Sequence, residues 1–457
     1  MNRRAAFHNL GCRVNAYETE AMKEQLQSAG YRIVGFDEPA DVYVVNTCTV
    51  TAVADRKSRQ MLHRARELNP ASCVVAAGCY VEDAARGLTE DAAVDLLLGN
   101  EAKQSLAAIL DRYFAGDAEK VYIKPPAEAP GRELFVTGTE GRTRAFLKIQ
   151  DGCNQFCSYC IIPYVRGRVR SRKPEEVIRE AERLAAAGFP EIVLTGIHLT
   201  SYGADFGRAE TGRGPVTGGV RETETNLHLL GVIRGIAALP GIRRVRLGSV
   251  DPALMTPDFT GALSGIPEVC PQFHLSLQSG SGSVLAAMNR HYTPEEYEAV
   301  CGGIRSCFDD PAITTDIIVG FPGETEEYFR ETVDFAERIG FAKIHIFKYS
   351  KREGTRAAAM PDQVPEDIKK RRSMVLAAKE RELRMRFLKR RIGGVAEVLF
   401  EEKRGRGASE IWTGYTRDYL PAGIAGAEDL AGRLIPCRVT GVSGDGTLLV
   451  ERAAEIG

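Results

Sequence analysis

Short apolar runs alternate with amphipathic stretches through residues 1–115, the arrangement of βα units stacked on a parallel sheet. Apolar runs predict strands at Arg4–Leu10, Asp41–Thr47, Cys73–Gly78 and Ala93–Leu98, with a shorter fifth at Tyr31–Phe36. Between them, Tyr17–Ala29 ends at Gly30 and Ala54–Leu68 ends before Pro70, both helix-stop patterns. A doubly wound α/β sheet is expected. Residues 116–140 carry Pro125-Pro126, Pro130-Gly131 and Gly138 without a sustained period, which suits a linker or an edge extension.

A second rhythm runs over residues 141–365. Strands are expected at Arg144–Gln150, Glu191–Gly196, Arg243–Gly248, Gln272–Gln278, Ala312–Gly320 and Lys343–Tyr349, with helices such as Pro174–Ala187, Asn226–Leu239, Pro294–Cys307 and Thr325–Ile339 between them. Six such units fall short of the eight units and about 250 residues of a complete barrel, so an open, partial (β/α)6 barrel fits. The glycine-rich segment 204–224 interrupts the rhythm and reads as a surface insertion. Residues 366–392 form a helical run with eleven Lys or Arg against four acids. Beyond Gly393-Gly394, the β runs Val395–Phe400, Leu434–Val442 and Thr447–Glu451 indicate a small all-β module over 393–457.

Composition narrows the class. A length of 457 residues accommodates about three domains. With 44% hydrophobic and 26% charged residues, disordered, collagen-like and coiled-coil classes are excluded. Sixty basic against 61 acidic residues leave a net charge of -1, so a polyanion partner would have to meet a local patch. No apolar run reaches membrane-spanning length, and Met1-Asn2-Arg3-Arg4 does not lead into an apolar signal core. A cytoplasmic protein without membrane contact is expected. In that reducing compartment, eleven cysteines point to metals or catalysis rather than disulfides.

The sharpest pattern is Cys153-x3-Cys157-x2-Cys160, placed on a loop directly after a strand. Thiolates this close in sequence can ligate one metal centre. Zinc needs a fourth ligand, and none lies nearby; the next histidine, His198, belongs to another loop. Three thiolates on a four-iron cluster leave one iron open, where a cofactor such as S-adenosylmethionine would sit. The spacing favours that reading over structural zinc or unligated core cysteines. A second trio, Cys12, Cys48 and Cys79, follows three predicted strands by a residue or two. The carboxyl ends of parallel strands share one edge, so these thiols would meet there, although buried cysteine is also common in apolar runs. Cys73 opens a strand and should face the core; Cys270, Cys301, Cys307 and Cys437 default to packing or surface positions.

With these motifs the sequence resembles the radical S-adenosylmethionine methylthiotransferases. Asn9-Leu10-Gly11-Cys12-Arg13-Val14-Asn15 with Glu18-x-Glu20, Asn46-Thr47-Cys48-Thr49-Val50 and Gly78-Cys79 match the family's amino-terminal domain. Lys148-Ile149-Gln150-Asp151-Gly152-Cys153, running through Cys160, Pro163 and Arg166-Gly167, matches its radical domain. The resemblance implies two four-iron, four-sulfur clusters: one on Cys153, Cys157 and Cys160 that cleaves S-adenosylmethionine, and an auxiliary one on Cys12, Cys48 and Cys79 that takes part in sulfur delivery. It implies cofactor contacts at Tyr159, between two ligands, and along the barrel rim at Gly196, Ser249 and Gln278. Each rim position also reads as an ordinary turn or helix cap. Gly320-Phe321-Pro322-Gly323-Glu324-Thr325 resembles a late cofactor-side loop, and Thr325 alone would explain part of it as a cap.

The terminal module resembles the TRAM domain of RNA-modifying enzymes, a small barrel that binds RNA. Trp412 and Tyr415 are candidates for base stacking, although aromatic residues in so small a barrel are more often core. The basic run from Lys369 to Arg391 is either a phosphate-binding surface or a solvated helix face. Gly11-Cys12-Arg13-Val14-Asn15 and Gly196-Ile197-His198-Leu199 look most like the branch that acts on N6-threonylcarbamoyladenosine at position 37 of tRNA. That branch implies the tRNA anticodon stem-loop as partner and an electron donor such as flavodoxin or ferredoxin, with the sulfur source open. Isopentenyladenosine tRNA, a ribosomal protein, or a non-catalytic metal-containing RNA-binding role remain the alternatives.

Overall fold

The computed structural model describes residues 3–124, 135–136, 143–206, 222–405, 410–426 and 428–453. Six parallel strands build the first sheet: β1 (Arg4–Asn9), β2 (Arg32–Val34), β3 (Val42–Thr47), β4 (Cys73–Gly78), β5 (Leu96–Leu98) and β6 (Val121–Tyr122), in the order β2-β1-β3-β4-β5-β6. β3 and β4 are buried at every residue, because helices cover both faces and every side chain meets apolar neighbours. β6 lies inside the stretch expected to be a linker, and residues 125–134 and 137–140 of that stretch fall outside the described residues. α1 (Arg13–Ser28) opens at Arg13 rather than Tyr17. Its first turns bury Asn15, Glu18 and Thr19, polar residues that an apolar periodicity does not register. α2 (Ala52–Leu68) and α3 (Cys79–Thr89) follow β3 and β4.

The second domain is the expected partial barrel. β7 (Arg144–Lys148), β8 (Glu191–Thr195), β9 (Arg244–Leu247), β10 (Gln272–Leu275), β11 (Ala312–Val319) and β12 (Lys343–Lys348) run parallel, each paired with its neighbour; the β9–β10 pairing goes through Ser249–Val250, just past Gly248. β7 and β12 do not pair with each other, so the barrel stays open between them. Burial alternates along β7 and β11, one face packed in the core and the other half-exposed toward the lumen. The glycine-rich insertion expected at 204–224 lies largely outside the described residues.

A long helix, Glu366–Lys389, leads to a closed barrel of β13 (Val395–Arg404), β14 (Ile411–Thr416), β15 (Pro421–Ala425), β16 (Leu434–Val442) and β17 (Leu448–Arg452). β14 and β15 were not legible as strands because glycines interrupt them. A Cβ at Gly414 would lie 2.1 Å from the Leu399 carbonyl oxygen, so closing this small barrel needs a glycine there. Trp412 is buried in the barrel core, which removes it as a stacking platform. Tyr415 stacks on Tyr419, with ring centroids 4.7 Å apart.

Much of the long helix's positive charge is consumed within the chain. Arg372 pairs with buried Glu324 at 2.7 Å, Arg371 with Glu326, Lys379 and Arg386 with Glu337, and Arg390 and Arg391 with Asp310. These pairs fasten the helix to the barrel, and they leave the phosphate-binding surface smaller than the residue count suggests. The module in turn caps the amino-terminal end of the barrel strands. Arg144 reaches Glu401 at 2.9 Å, and Arg244 reaches Glu397 at 3.1 Å.

The first domain docks through Arg352, buried after β12, which donates to Thr49 Oγ1 and Asp83 Oδ2 at 2.6 Å each and pairs with Asp55. Arg352→Ala leaves both carboxylates at the interface without their cation. A loss of about 2–3 kcal/mol in unfolding free energy is expected, read by chemical denaturation.

Candidate functional site

Both cysteine trios lie at the carboxyl ends of parallel strands, where open α/β sheets place ligands. In the first domain Cys12 caps α1, Cys48 follows β3 and Cys79 opens α3. Two glycines make that convergence possible. Gly11 has φ +102°, and a Cβ on it would stand 2.8 Å from both Cys48 Cβ and Cys48 Sγ. Gly78, at φ +101°, would put a Cβ 2.7 Å from Asn46 Oδ1. Asn15 holds the loops in register by donating to the carbonyls of Leu10 (2.8 Å) and Thr47 (2.9 Å).

In the second domain Cys153, Cys157 and Cys160 follow the short strand Gln150–Asp151. Gly152 takes φ +70°, and a Cβ there would overlap the Arg168 carbonyl oxygen at 1.9 Å, so the loop folds only with glycine before its first cysteine. Cys153 N–H donates to the Gly167 carbonyl, and Cys160 N–H to that of Cys157, each at 3.0 Å.

The donor sets fit clusters better than single ions. In neither trio do all three sulfurs lie within 4.8 Å of one another. Tetrahedral zinc would bring its thiolates to about 3.8 Å. Burial pushes the Cys48 and Cys153 thiols up to about 11 and Cys160 up to about 12, so they become thiolates at neutral pH only against a metal's positive charge. Each trio also has an arginine against one sulfur. Arg166 Nε donates to Cys79 Sγ at 3.2 Å, and Arg290 Nη1 to Cys157 Sγ at 3.3 Å.

One turn of helix joins the two sites. Ile162–Val165 begins two residues after Cys160, and Ile161 and Val165 pack against Cys79. Asn100 Nδ2 donates to the Val165 carbonyl at 3.1 Å from the first domain. Arg166 then turns inward, fully buried, with hydrogen bonds to Glu18 (2.9 Å), Asp151 (3.0 Å) and Asn15 (2.6 Å). Lys148 and Lys103 complete the network on Glu18.

Rim residues divide. Tyr159 is half-buried against the cluster of Val284, Met288, Phe321 and Tyr349, beside Arg290 and the second trio. The space that Gly196 leaves is taken by Gln150, since a Cβ there would lie 2.8 Å from Gln150 Oε1, which accepts from His198 N–H. Ser249 Oγ is 2.9 Å from Ser276 Oγ on the exposed rim. Gln278 adopts φ +74° and bridges to β11 through its backbone. Ser281 makes no side-chain cap, whereas Thr325 accepts from Tyr328 N–H and does cap its helix. Cys73, Cys270, Cys301 and Cys437 are buried and Cys307 is exposed.

Sequence reasoning missed Arg290 and Asp251. Asp251 Oδ2 accepts from Arg290 at 2.6 Å and faces His198 Nε2 at 3.9 Å, so these residues form a charged brace under Cys157. Asn289 precedes this arginine with φ +59° and donates to the carbonyls of Gln155 and Phe156, which aims the brace at the loop.

Comparison with known proteins agrees with this geometry. Residues 4–99 match an uncharacterized protein family, UPF0004, and residues 147–336 match the radical SAM superfamily. The chain is 37% identical over 436 residues to threonylcarbamoyladenosine tRNA methylthiotransferase MtaB of Bacillus subtilis (strain 168), covering 95% of this chain and 93% of that one. It belongs to the radical SAM methylthiotransferase family. The MtaB of Aquifex aeolicus (strain VF5) is 39% identical, covering 88% of this chain and 94% of that one. The tRNA-2-methylthio-N(6)-dimethylallyladenosine synthase of Pelotomaculum thermopropionicum is 34% identical, covering 94% of each chain. The radical SAM methyltransferase TsrM of Kitasatospora setae shares the fold, with a TM-score of 0.55 at 16% identity over 78% of this chain and 74% of that one. Family membership brings S-adenosylmethionine and a four-iron cluster to the site. Among the described residues of this methylthiotransferase, no helix is long and apolar enough to cross a membrane.

Proposed function

We propose that this chain methylthiolates C2 of N6-threonylcarbamoyladenosine at position 37 of tRNA, in the cytoplasm, with one four-iron cluster on Cys153, Cys157 and Cys160 and a second on Cys12, Cys48 and Cys79. The observation that carries the reading is the pair of cysteine trios joined by the single turn Ile162–Val165. A site that must take hydrogen from a carbon and return sulfur to it needs its two centres close and fixed.

When bound, the cluster on Cys153, Cys157 and Cys160 supplies the electron that cleaves S-adenosylmethionine reductively, chemistry that no acid or base side chain offers at neutral pH. The chain does the positioning. Arg290 donates to Cys157 Sγ and is itself held by Asp251, which fixes the charge beside the cofactor-side thiolates. Tyr159 walls that site with an apolar face. Arg166 donates to Cys79 Sγ and, through Asp151, locks the auxiliary trio to the strand that carries Cys153. The half-exposed lumen between β7 and β12 is the space for the adenine, and the partner is the anticodon stem-loop. The electrons come from a small donor such as flavodoxin or ferredoxin.

The threonylcarbamoyl branch is favoured by Gly11-Cys12-Arg13-Val14-Asn15 and by the names of the relatives from Bacillus and Aquifex. The test is an anaerobic reaction of holoenzyme with S-adenosylmethionine, a reductant and tRNA that carries the threonylcarbamoyl group. Formation of 5'-deoxyadenosine together with the 2-methylthio nucleoside is expected. Holoenzyme isolated anaerobically with stoichiometric zinc, no iron and no 5'-deoxyadenosine formation would overturn the reading.

A further inference from the structure

We propose that Arg13 reads the carboxylate of the substrate's N6 side chain, so that the residue next to an auxiliary-site cysteine also selects the threonylcarbamoyl group. The inference rests on the substrate proposed above. Arg13 stands between the edge strands of the open barrel. Its guanidinium lies 6.0 Å from the ring centroid of Phe146 on β7, and it interacts electrostatically with His345 on β12. Both side chains are partly buried, Phe146 at the margin of the core between Ala145 and Leu147 and His345 beside buried Ile344.

The strand cations bordering this space on β7 and β9 have counter-ions. Arg144 pairs with Glu401 at 2.9 Å, Arg246 with Glu191 at 2.7 Å, Arg244 with Glu397 at 3.1 Å, and Lys148 with Asp151 at 2.6 Å. His274 already faces Asp316 at 3.3 Å. Arg13 lies against the Tyr419 hydroxyl and has no carboxylate within 4.0 Å among the described residues. Three guanidiniums instead gather on one ring: Arg13, Arg144 and Arg246 lie 5.8, 4.8 and 4.7 Å from the centroid of Tyr419. A cation crowded by like charges and facing an open lumen is a ready receptor for an anion.

The chemistry of the substrate suits that placement. In adenine, C2 and the carbon bearing N6 flank N1, so sulfur arriving at C2 and a charge that recognises the N6 substituent must come from neighbouring positions. Cys12 and Arg13 are consecutive. Of the two N6 groups in question, threonylcarbamoyl ends in a carboxylate and dimethylallyl is apolar. The apolar group would leave Arg13 without a carboxylate in a desolvated site, which selects against it.

The test is binding of holoenzyme to anticodon stem-loops, followed by fluorescence anisotropy. Three stem-loops are compared: threonylcarbamoyladenosine at position 37, its carboxyl methyl ester, and unmodified adenosine. Wild-type protein should bind the acid about ten- to a hundredfold more tightly than the ester. Arg13→Gln should lose that difference, and Arg13→Lys should keep most of it. An Arg13→Gln variant with full iron content that still separates acid from ester overturns the proposal. The ester comparison with wild-type protein decides the matter even if Arg13→Gln fails to hold its clusters, since equal binding of acid and ester also overturns it. If the wild type does not distinguish the modified stem-loop from plain adenosine, the substrate reading falls as well. A preference for the modified stem-loop that ignores esterification removes only the role of Arg13.

Discussion

Cys48→Ala is expected to abolish sulfur insertion while leaving 5'-deoxyadenosine formation intact, whereas Cys157→Ala is expected to reduce both to background. The split follows from the supports of each thiol. Cys48 sits in the cradle left by Gly11 beside Cys12, and its amide nitrogen lies 3.4 Å from Ser58 Oγ, all within the first domain. Cys157 receives Arg290 and lies beside Tyr159, within the loop that carries Cys153 and Cys160. Anaerobic assays that follow nucleoside and 5'-deoxyadenosine in the same reaction read both outcomes. Loss of cofactor cleavage in Cys48→Ala would contradict the division of labour between the trios.

Arg166→Ala has the largest expected effect on stability. The side chain is fully buried, joins Glu18 and Asn15 of the first domain to Asp151 of the second, and donates to Cys79 Sγ. Removing it takes the shared guanidinium from two buried carboxylates and leaves them to Lys103 and Lys148, an effect of about 3 kcal/mol, and loss of iron from the auxiliary site should accompany it. Burial is the largest single effect and works against the charge on Glu18 and Asp151, but the cations together outweigh it, Arg166 with Lys103 and Lys148 at Glu18 and Arg166 with Lys148 and Arg170 at Asp151, and both carboxyls are held below their ordinary range. With folded values below unfolded ones, this stabilisation is complete above about pH 5 and is lost as the pH falls through the depressed range. The gap in thermal stability between wild type and Arg166→Ala should therefore be widest near neutrality and narrow below about pH 4. Arg166→Lys should recover little, because a single ammonium cannot serve Glu18, Asp151, Asn15 and the sulfur together.

What was legible in the sequence follows from how local each feature is. The strands of the first two domains announce themselves as apolar runs because helices bury them, and the cysteines that follow them fall by topology on one edge. The loop of Cys153 to Cys160 is compact in sequence and hence readable. Arg166 stood in a recognisable motif, yet its partner Cys79 is 87 residues away, and nothing local shows that they meet. Arg290 and Cys157 are 133 residues apart, and Arg352 and Thr49 are 303 apart, so those roles appear only once the domains are docked. Trp412 takes the core position that aromatic residues more often occupy in so small a barrel. The charge of the long helix left two readings open, because its acidic partners Glu324, Glu326, Glu337 and Asp310 lie on other elements.

The central claim is that this chain installs a methylthio group on one modified adenosine of tRNA. The most direct measurement is mass spectrometry of nucleosides from total tRNA of cells lacking the gene, set beside cells to which it has been returned. Disappearance of 2-methylthio-N6-threonylcarbamoyladenosine, accumulation of its unthiolated precursor, and restoration of both by the returned gene are predicted. A change confined to the isopentenyl analogue would contradict the substrate, and no change in any tRNA nucleoside would contradict the claim itself.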